Sequence, residues 1–144
     1  MIIAIDFDGT IVDHLFPMVG PAVPGAIESI KELKKQGHTL ILYTMRGNLN
    51  LGRYNLLADL EVYNPFQEAK QWCIDNDLGF DYYNENHSQL KWTNSPKIYA
   101  QIYIDDLAVG CPLKDNPRYG GLPYVDWEKV MQLLKDNYYK YKHY

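Results

Sequence analysis

Two aspartates separated by a single residue follow an apolar run near the start of the chain. Asp6 and Asp8 come directly after the apolar residues 2–5, and a second pair, Asp105 and Asp106, ends another apolar run. Carboxylates that lie close together repel one another and raise each other's pKa unless a cation neutralises them. Hard divalent cations take oxygen ligands of this kind. The pattern therefore predicts a cation site, and Mg²⁺ is the cation that we expect.

The first of these pairs lies in a strand–helix–strand pattern. Residues 2–5 are apolar and rich in β-branched side chains, as in strands that are buried on both faces. Apolar residues recur at helical spacing between Gly25 and Gln36, and Gly37 follows as a helix stop. Residues 39–44 repeat the buried-strand pattern. The segment therefore predicts a βαβ unit with parallel strands.

The rest of the chain supplies further strands and helices. An apolar pattern that begins at Phe66 indicates a second helix ending near residues 77–79, and residues 80–83 fit a short third strand. Residues 98–104 predict a fourth strand. Asp126 is placed to cap a last amphipathic helix.

Three segments carry no clear helix or strand pattern. Residues 47–64 are hard to assign and are longer than a tight connection requires. Residues 87–96 are interpreted as a polar loop, and residues 110–123 as a connection rich in glycine and proline. The residues 47–64 and the tyrosine-rich tail are candidates for a partial lid or a subunit interface.

Composition and charge restrict the class of protein. The chain has 144 residues, of which 47% are hydrophobic and 22% charged, as is typical of one globular domain. Its net charge is -4 and it has no basic run, so nucleic acid is not an expected partner. Cys73 and Cys111 fit no metal or disulfide pattern and are interpreted as reduced core thiols. No stretch has transmembrane length, and we expect a cytoplasmic protein.

These assignments predict a single α/β domain, a Rossmann-like three-layer sandwich with a mostly parallel central sheet. In such sheets ligands bind outside the carboxyl ends of the strands. Thr44 and Arg46 follow the second strand, so we expect them at the same edge as the carboxylates. Arg46 is a candidate clamp for a substrate phosphate or carboxylate.

The order of these motifs resembles that of the haloacid dehalogenase (HAD) superfamily. The matching residues are Asp6-Phe7-Asp8-Gly9-Thr10 after the first strand, Thr44 at the end of the second, a lysine before the fourth and Asp105-Asp106 at its end. The resemblance covers residues 1 to about 110. It implies a Mg²⁺-dependent phosphatase, because Asp at the second motif position resembles members that hydrolyse or transfer phosphate esters.

The resemblance also implies catalytic roles. Asp6 would be the nucleophile that forms an aspartyl-phosphate, and Asp8 would be the general acid and base. Thr44 would hydrogen-bond to the phosphoryl oxygens. Lys97, or alternatively Lys91, would offset the charge around the nucleophile.

Substrate and cation binding would fall to neighbouring residues. Gly9, Thr10 and Arg46 would contact the substrate. The Mg²⁺ ligands would be Asp6, Asp8, Asp105 and Asp106.

The motifs follow one another too closely for a full cap domain, so we expect an open site. The substrate would be a phosphorylated small molecule or something larger, and a homo-oligomer is one way to cover such a site. Two alternatives remain open. The first is a phosphotransferase of narrow specificity, and the second is a non-catalytic, receiver-like module that binds phosphate and Mg²⁺.

The histidines show no metal-ligand spacing and are interpreted as surface or strand-edge residues. Of the histidines, His14 alone lies in the loop after the expected nucleophile, where it is within reach of a substrate. Asp13 and Asp115 are interpreted as turn formers.

Overall fold

A parallel sheet of four strands lies at the centre of the fold. The computed structural model describes residues 1–47, 64–118 and 121–142, apart from the side chains of residues 139 and 142. The strands of this sheet are β1 (Ile2–Ile5), β2 (Thr39–Leu42), β3 (Tyr82–Tyr83) and β4 (Ile102–Ile104). Their spatial order is β3-β2-β1-β4, and each strand runs parallel to its neighbours.

The register brings the ends of three strands to one level. Ile5, the last residue of β1, pairs with Leu42 of β2 and with Ile104 of β4. The loops that leave these strands therefore begin side by side at the carboxyl edge of the sheet. Asp6 begins one of these loops and Asp105 begins another.

Helices and a small ribbon complete the described part of the chain. The ribbon pairs β5 (Leu113–Lys114) with β6 (Tyr124–Val125) in antiparallel fashion. The helices are α1 (Ala26–Lys35), α2 (Pro65–Asp75), α3 (Trp127–Asp136) and α4 (Tyr138–Lys142), and a 3-10 helix spans His87–Lys91. None of the helices in these ranges is long and apolar enough to cross a membrane.

Local signals in the sequence account for where two helices begin. Asp126 caps α3, as predicted, by accepting a hydrogen bond from the Lys129 N–H. Asn64 caps α2 in the same way through the Gln67 N–H. Pro65 occupies the first turn of α2, where a helix has no use for its missing N–H.

The main core lies on one face of the sheet. The helices α1, α2 and α3 bury their apolar residues there against Ile3 and Ile5 of β1 and their neighbours on β2 and β4. A smaller cluster on the other face contains Ala4, Ile41 and Ala100. Ala100 lies in the chain between β3 and β4, which connects opposite edges of the sheet. The fold is therefore α/β, with a parallel sheet flanked by helices, consistent with the predicted Rossmann-like three-layer sandwich.

The fourth strand is shorter than predicted, because residues 98–100 do not pair with β1. The Tyr99 N–H donates to the Gln89 side chain and the Ala100 N–H donates to the Tyr103 hydroxyl. Side chains thus take the hydrogen bonds that a strand neighbour would otherwise provide. Pairing with β1 begins at Gln101, whose N–H donates to the Ile2 carbonyl.

Two segments that were interpreted as loops contain regular structure. Residues 87–91 form the 3-10 helix, which begins at Asn86 because its side chain accepts from the Ser88 N–H. Residues 110–123 contain β5. The expectation that residues 47–64 form a partial lid or a subunit interface falls mainly on residues 48–63, which lie outside the described residues.

Candidate functional site

Three carboxylates meet at the carboxyl edge of the sheet. Asp6 follows β1, and Asp105 and Asp106 follow β4. Each contributes an oxygen that lies within 4.8 Å of an oxygen from the other two. The parallel register explains the meeting, since Ile5 and Ile104 are paired and both chains leave the sheet at that level. This set is called the acidic cluster below.

Thr10 links the two halves of the acidic cluster. Its hydroxyl donates to Asp6 Oδ2 at 3.2 Å and accepts from the Asp106 N–H at 3.1 Å. The side chain is fully buried. Thr10 was expected to contact the substrate, but the hydrogen bonds of its hydroxyl are made within the protein.

The environment of Asp6 opposes its negative charge. Burial is the main cause that raises the pKa of Asp6 to about 7, and the carboxylates of Asp105, Asp106 and Asp8 add to the shift, whereas a hydrogen bond from the Phe7 N–H lowers it. Burial also raises the pKa of Asp106. A cation bound between these groups would relieve both effects.

The donor set fits a hard divalent cation such as Mg²⁺. The acidic cluster offers carboxylate oxygens only, which are the ligands that Mg²⁺ prefers. Asp8 was also expected to be a ligand, but its carboxylate is not part of this cluster in the described residues.

Asp8 instead forms a bidentate ion pair with Arg46. Nε of Arg46 donates to Asp8 Oδ2 and Nη2 donates to Asp8 Oδ1, each at 2.7 Å. The Arg46 side chain is 1% exposed. A paired geometry of this kind is stronger and more directional than a single charged contact.

Arg46 has further partners inside the protein. Nη1 donates to the carbonyls of Pro17 and Pro65, and Nη2 donates to the carbonyl of Met18. Together with the two bonds to Asp8 these use all the N–H donors that a guanidinium carries. The structure thus gives Arg46 an internal position that joins the loop after β1, the loop after β2 and the first residue of α2, in place of the expected position facing a substrate.

Thr44 lies two residues beyond β2, which ends at Leu42 and not at residue 44 as predicted, and it is held by Asn84. The Asn84 side chain accepts from the Thr44 N–H at 2.8 Å and donates to the Thr44 carbonyl at 2.9 Å. The Thr44 hydroxyl accepts from the Arg46 N–H. Sequence reasoning missed Asn84, which follows the two-residue strand β3 and has a left-handed backbone with φ of 53°.

Neither candidate lysine contacts the expected nucleophile. Lys97 is exposed and its Nζ lies 5.7 Å from the centre of the Tyr103 ring. Lys91 is exposed on the 3-10 helix. Across the described ranges no lysine lies within ion-pair distance of Asp6. The charge-offsetting role of either lysine stays a prediction.

The C-terminal part of the chain supports the loop that carries Asp6 and Asp8. The Val125 N–H of β6 donates to the Gly9 carbonyl, and Nε1 of the buried Trp127 donates to the Thr10 carbonyl at 2.8 Å. The motif resemblance ends near residue 110 and so did not predict these contacts. They hold the loop backbone at residues 9 and 10.

His14 lies against the acidic cluster. Its Nε2 is 3.2 Å from Asp106 Oδ2. Gly9 makes room for it: a Cβ at that position would collide with the imidazole and would lie 2.7 Å from Asp106 Oδ2. Gly9 also has φ of 77°, a conformation that other residues rarely adopt. Glycine at position 9 therefore leaves open the space that the His14 imidazole occupies.

One solved structure is similar to this chain in sequence and in fold. It is described as the structure of a conserved protein from Bacteroides thetaiotaomicron. The sequences are 31% identical, the match covers 95% of this chain and 91% of that one, and the TM-score is 0.69. The chain belongs to the family of that protein. No protein-family model and no curated protein matches the chain.

Membership of this family extends over nearly the whole chain. The match covers 95% of the residues, whereas the motif resemblance reaches only to about residue 110. The words that describe the Bacteroides thetaiotaomicron protein name no activity. The function of this chain must therefore be argued from the chemistry of its own site.

Proposed function

We propose that the protein is a Mg²⁺-dependent phosphomonoester hydrolase in which Asp6 is the nucleophile. One observation carries the proposal: Asp6 lies in a cluster of three carboxylates at the edge where parallel α/β sheets bind ligands. The resemblance of the motifs to those of HAD phosphatases supports the same reaction. That the chain is a HAD-like phosphatase is part of the proposal.

The chemistry follows from the nature of the groups. A carboxylate oxygen of Asp6 attacks phosphorus and the bond from phosphorus to the ester oxygen breaks, while Asp8, as the general acid, would supply the proton with which the alcohol leaves. Water then attacks phosphorus and would give a proton back to Asp8, and Asp6 leaves as carboxylate while inorganic phosphate is released. The Thr10 hydroxyl holds Asp6 Oδ2 and so limits rotation of the nucleophile.

The acidic cluster would hold the cation through Asp6, Asp105 and Asp106. When bound, Mg²⁺ would screen the negative charges of the nucleophile and the phosphate from each other. The high pKa of Asp6 in the absence of a cation supports this requirement, because a nucleophile must be ionised.

A second candidate function is favoured by the Asp8–Arg46 ion pair. The general acid–base role requires an Asp8 oxygen that is free to exchange a proton with the substrate or with water. In the structure both oxygens accept from Arg46. A chain that kept this pair would accept a phosphoryl group on Asp6 and release it slowly, as expected of the receiver-like module or of a phosphotransferase.

Phosphate release from a panel of phosphomonoesters tests the proposal. The panel contains p-nitrophenyl phosphate, sugar phosphates and nucleotides, each with Mg²⁺ and with a chelator. We expect release that disappears with the chelator and in Asp6→Asn, and persists in Asp136→Asn, which changes an exposed aspartate on α3. Phosphorylation of Asp6 without turnover would favour the second candidate. Release by Asp6→Asn would refute the covalent mechanism.

The proposal also covers the substrate class and the cellular location. We infer a phosphorylated small molecule or larger substrate, with a second copy of the chain as one means of covering the site. The two cysteines are unpaired, Cys73 buried and Cys111 half-buried. This state suits the cytoplasm, where thiols stay reduced.

A further inference from the structure

His14 and Asp106 form the most enclosed contact between a histidine and a carboxylate among the described residues. The His14 side chain is 27% exposed and the Asp106 side chain 7% exposed. The other such pair, His87 with Glu85, has a similar separation of 3.1 Å, but both side chains are more than half exposed. Both pairs join an imidazole to a carboxylate, but the His14–Asp106 pair is much less exposed to solvent.

The backbone around His14 is arranged for this contact. The imidazole occupies the space that a Cβ of residue 9 would fill, so the contact exists only because residue 9 is glycine. Trp127 and Val125 hold the carbonyls of Thr10 and Gly9, which fixes the loop that leads to His14. The imidazole therefore lies between residue 9 and Asp106, close to a loop whose backbone is held at residues 9 and 10.

We propose that His14 is a positioning residue of the cation site, which holds the Asp106 carboxylate in place for Mg²⁺. The proposal rests on the proposed function, because it concerns the same cation. An ionised carboxylate only accepts hydrogen bonds, so Nε2 must carry the hydrogen in this contact. The Thr10 hydroxyl accepts a hydrogen bond from the Asp106 N–H and so fixes the Asp106 backbone. His14 fixes the Asp106 side chain.

Holding a ligand in place affects metal affinity. A carboxylate that rotates freely loses that freedom when it binds a cation, whereas one that is already held loses less. Removal of such a supporting partner typically lowers metal affinity by about 10- to 100-fold. The sequence indicates that His14 is within reach of the substrate. The proposal instead assigns His14 the role of holding the Asp106 carboxylate.

Direct measurement of metal binding tests the proposal without relying on activity. Isothermal titration with Mg²⁺, and electron paramagnetic resonance with Mn²⁺ as a spectroscopic substitute, would be applied to the full chain and to three variants. His14→Phe removes the donor and keeps a planar ring. His14→Gln retains an N–H donor at a comparable distance from the backbone. His87→Phe is the matched control, because it removes the exposed pair.

We expect His14→Phe to raise the Kd for the cation by about 10- to 100-fold. His14→Gln should restore much of the affinity, and His87→Phe should leave it unchanged. Equal Kd values for wild type and His14→Phe would overturn the proposal, as would a His14→Gln variant as weak as His14→Phe. Circular dichroism would confirm that each variant is folded.

The outcomes separate this proposal from the proposed function. If the wild type binds Mg²⁺ and releases phosphate while His14→Phe binds equally well, only the role of His14 is wrong. If the wild type binds Mg²⁺ but turns over no substrate, the hydrolase is wrong and the Kd comparison still decides the role of His14. If the wild type binds no divalent cation, both proposals fail.

Discussion

Arg46 donates from Nε and Nη2 to the two carboxylate oxygens of Asp8, each at 2.7 Å. The residues are 38 positions apart, and the pair joins the loop after β1 to the loop after β2. The guanidinium also reaches the carbonyls of Pro17, Met18 and Pro65. It therefore holds the loop after β1, which also carries Asp6, to the loop after β2 and to the start of α2.

Removal of this guanidinium should destabilise the fold. In Arg46→Met, Asp8 and three backbone carbonyls lose their partner, and breaking a buried pair in this way costs about 3–5 kcal/mol. We expect a loss near the lower end, because Asp8 is partly exposed. Urea unfolding measures the change.

The matched control is Lys34→Met, which breaks the exposed pair between Lys34 and Asp81. Exposed pairs contribute about 0–1 kcal/mol. If the two variants lost equal free energies of unfolding, Arg46 would not have the structural role described.

The stability of the cation-free protein should fall as the pH rises through the neutral range. The folded-state pKa of Asp6 is raised to about 7, above its ordinary value of 3.8. The folded protein therefore holds a proton that the unfolded chain releases at lower pH, so the free energy of unfolding decreases between these two values. The difference is on the order of a few kcal/mol at most.

Chemical denaturation with a chelator at several pH values would measure this slope. Asp6→Asn carries no ionisable group at residue 6 and should show a flatter profile, with little loss of stability at neutral pH. Added Mg²⁺ should flatten the wild-type profile as well. A wild-type profile as flat as that of Asp6→Asn without a cation would contradict the assigned environment of Asp6.

Loss of the α3 cap should weaken the support of the nucleophile loop. Burial tends to raise the pKa of Asp126, but the Lys129 N–H and the ammonium groups of Lys114 and Lys129 outweigh it and lower the pKa below 3.8. The stabilisation is therefore present at neutral pH and is lost as the pH falls through the folded-state pKa. Asp126→Ala should cost about 1–2 kcal/mol in thermal or urea unfolding at pH 7.

Asp126→Asn is the control for this prediction, because it retains the capping oxygen and removes the charge. It should lose less stability than Asp126→Ala and should show less acid sensitivity than the wild type. If both variants were as stable as the wild type, the cap would not contribute to stability.

Loss of the Asn84 side chain should displace Thr44. Asn84→Gly removes both hydrogen bonds to the Thr44 backbone, while glycine tolerates the left-handed φ of 53°. If Thr44 binds phosphoryl oxygens, we expect turnover to fall by about tenfold or more, since small misplacements at a reacting centre are costly. Asp77→Gly, at another left-handed position with φ of 55°, is the control and should keep its turnover.

The sequence predicted the parts of the site that depend on strand ends. Asp6 and Asp105 meet because parallel strands in register end at one edge, and an apolar run followed by aspartates reveals such an end. The fold class could be predicted for the same reason. The cap at Asp126 was also visible, because its signal is local.

The sequence did not reveal contacts that depend on packing between distant loops. Asp8 was assigned to proton transfer and metal binding and Arg46 to the substrate, and nothing in their spacing shows that they pair with each other. The space at Gly9 that admits His14 depends on a backbone angle. Residues 98–100 have a strand-like pattern, but the Gln89 side chain accepts from the Tyr99 N–H and the Tyr103 hydroxyl accepts from the Ala100 N–H.

The most direct test of the central claim is mass spectrometry of the protein after rapid acid quenching with p-nitrophenyl phosphate and Mg²⁺. The account predicts a mass increase of one phosphoryl group on the peptide that contains Asp6, absent in Asp6→Asn and absent with a chelator. Phosphate release with no phosphorylated Asp6 peptide, or a phosphoryl group on another residue, would contradict the account.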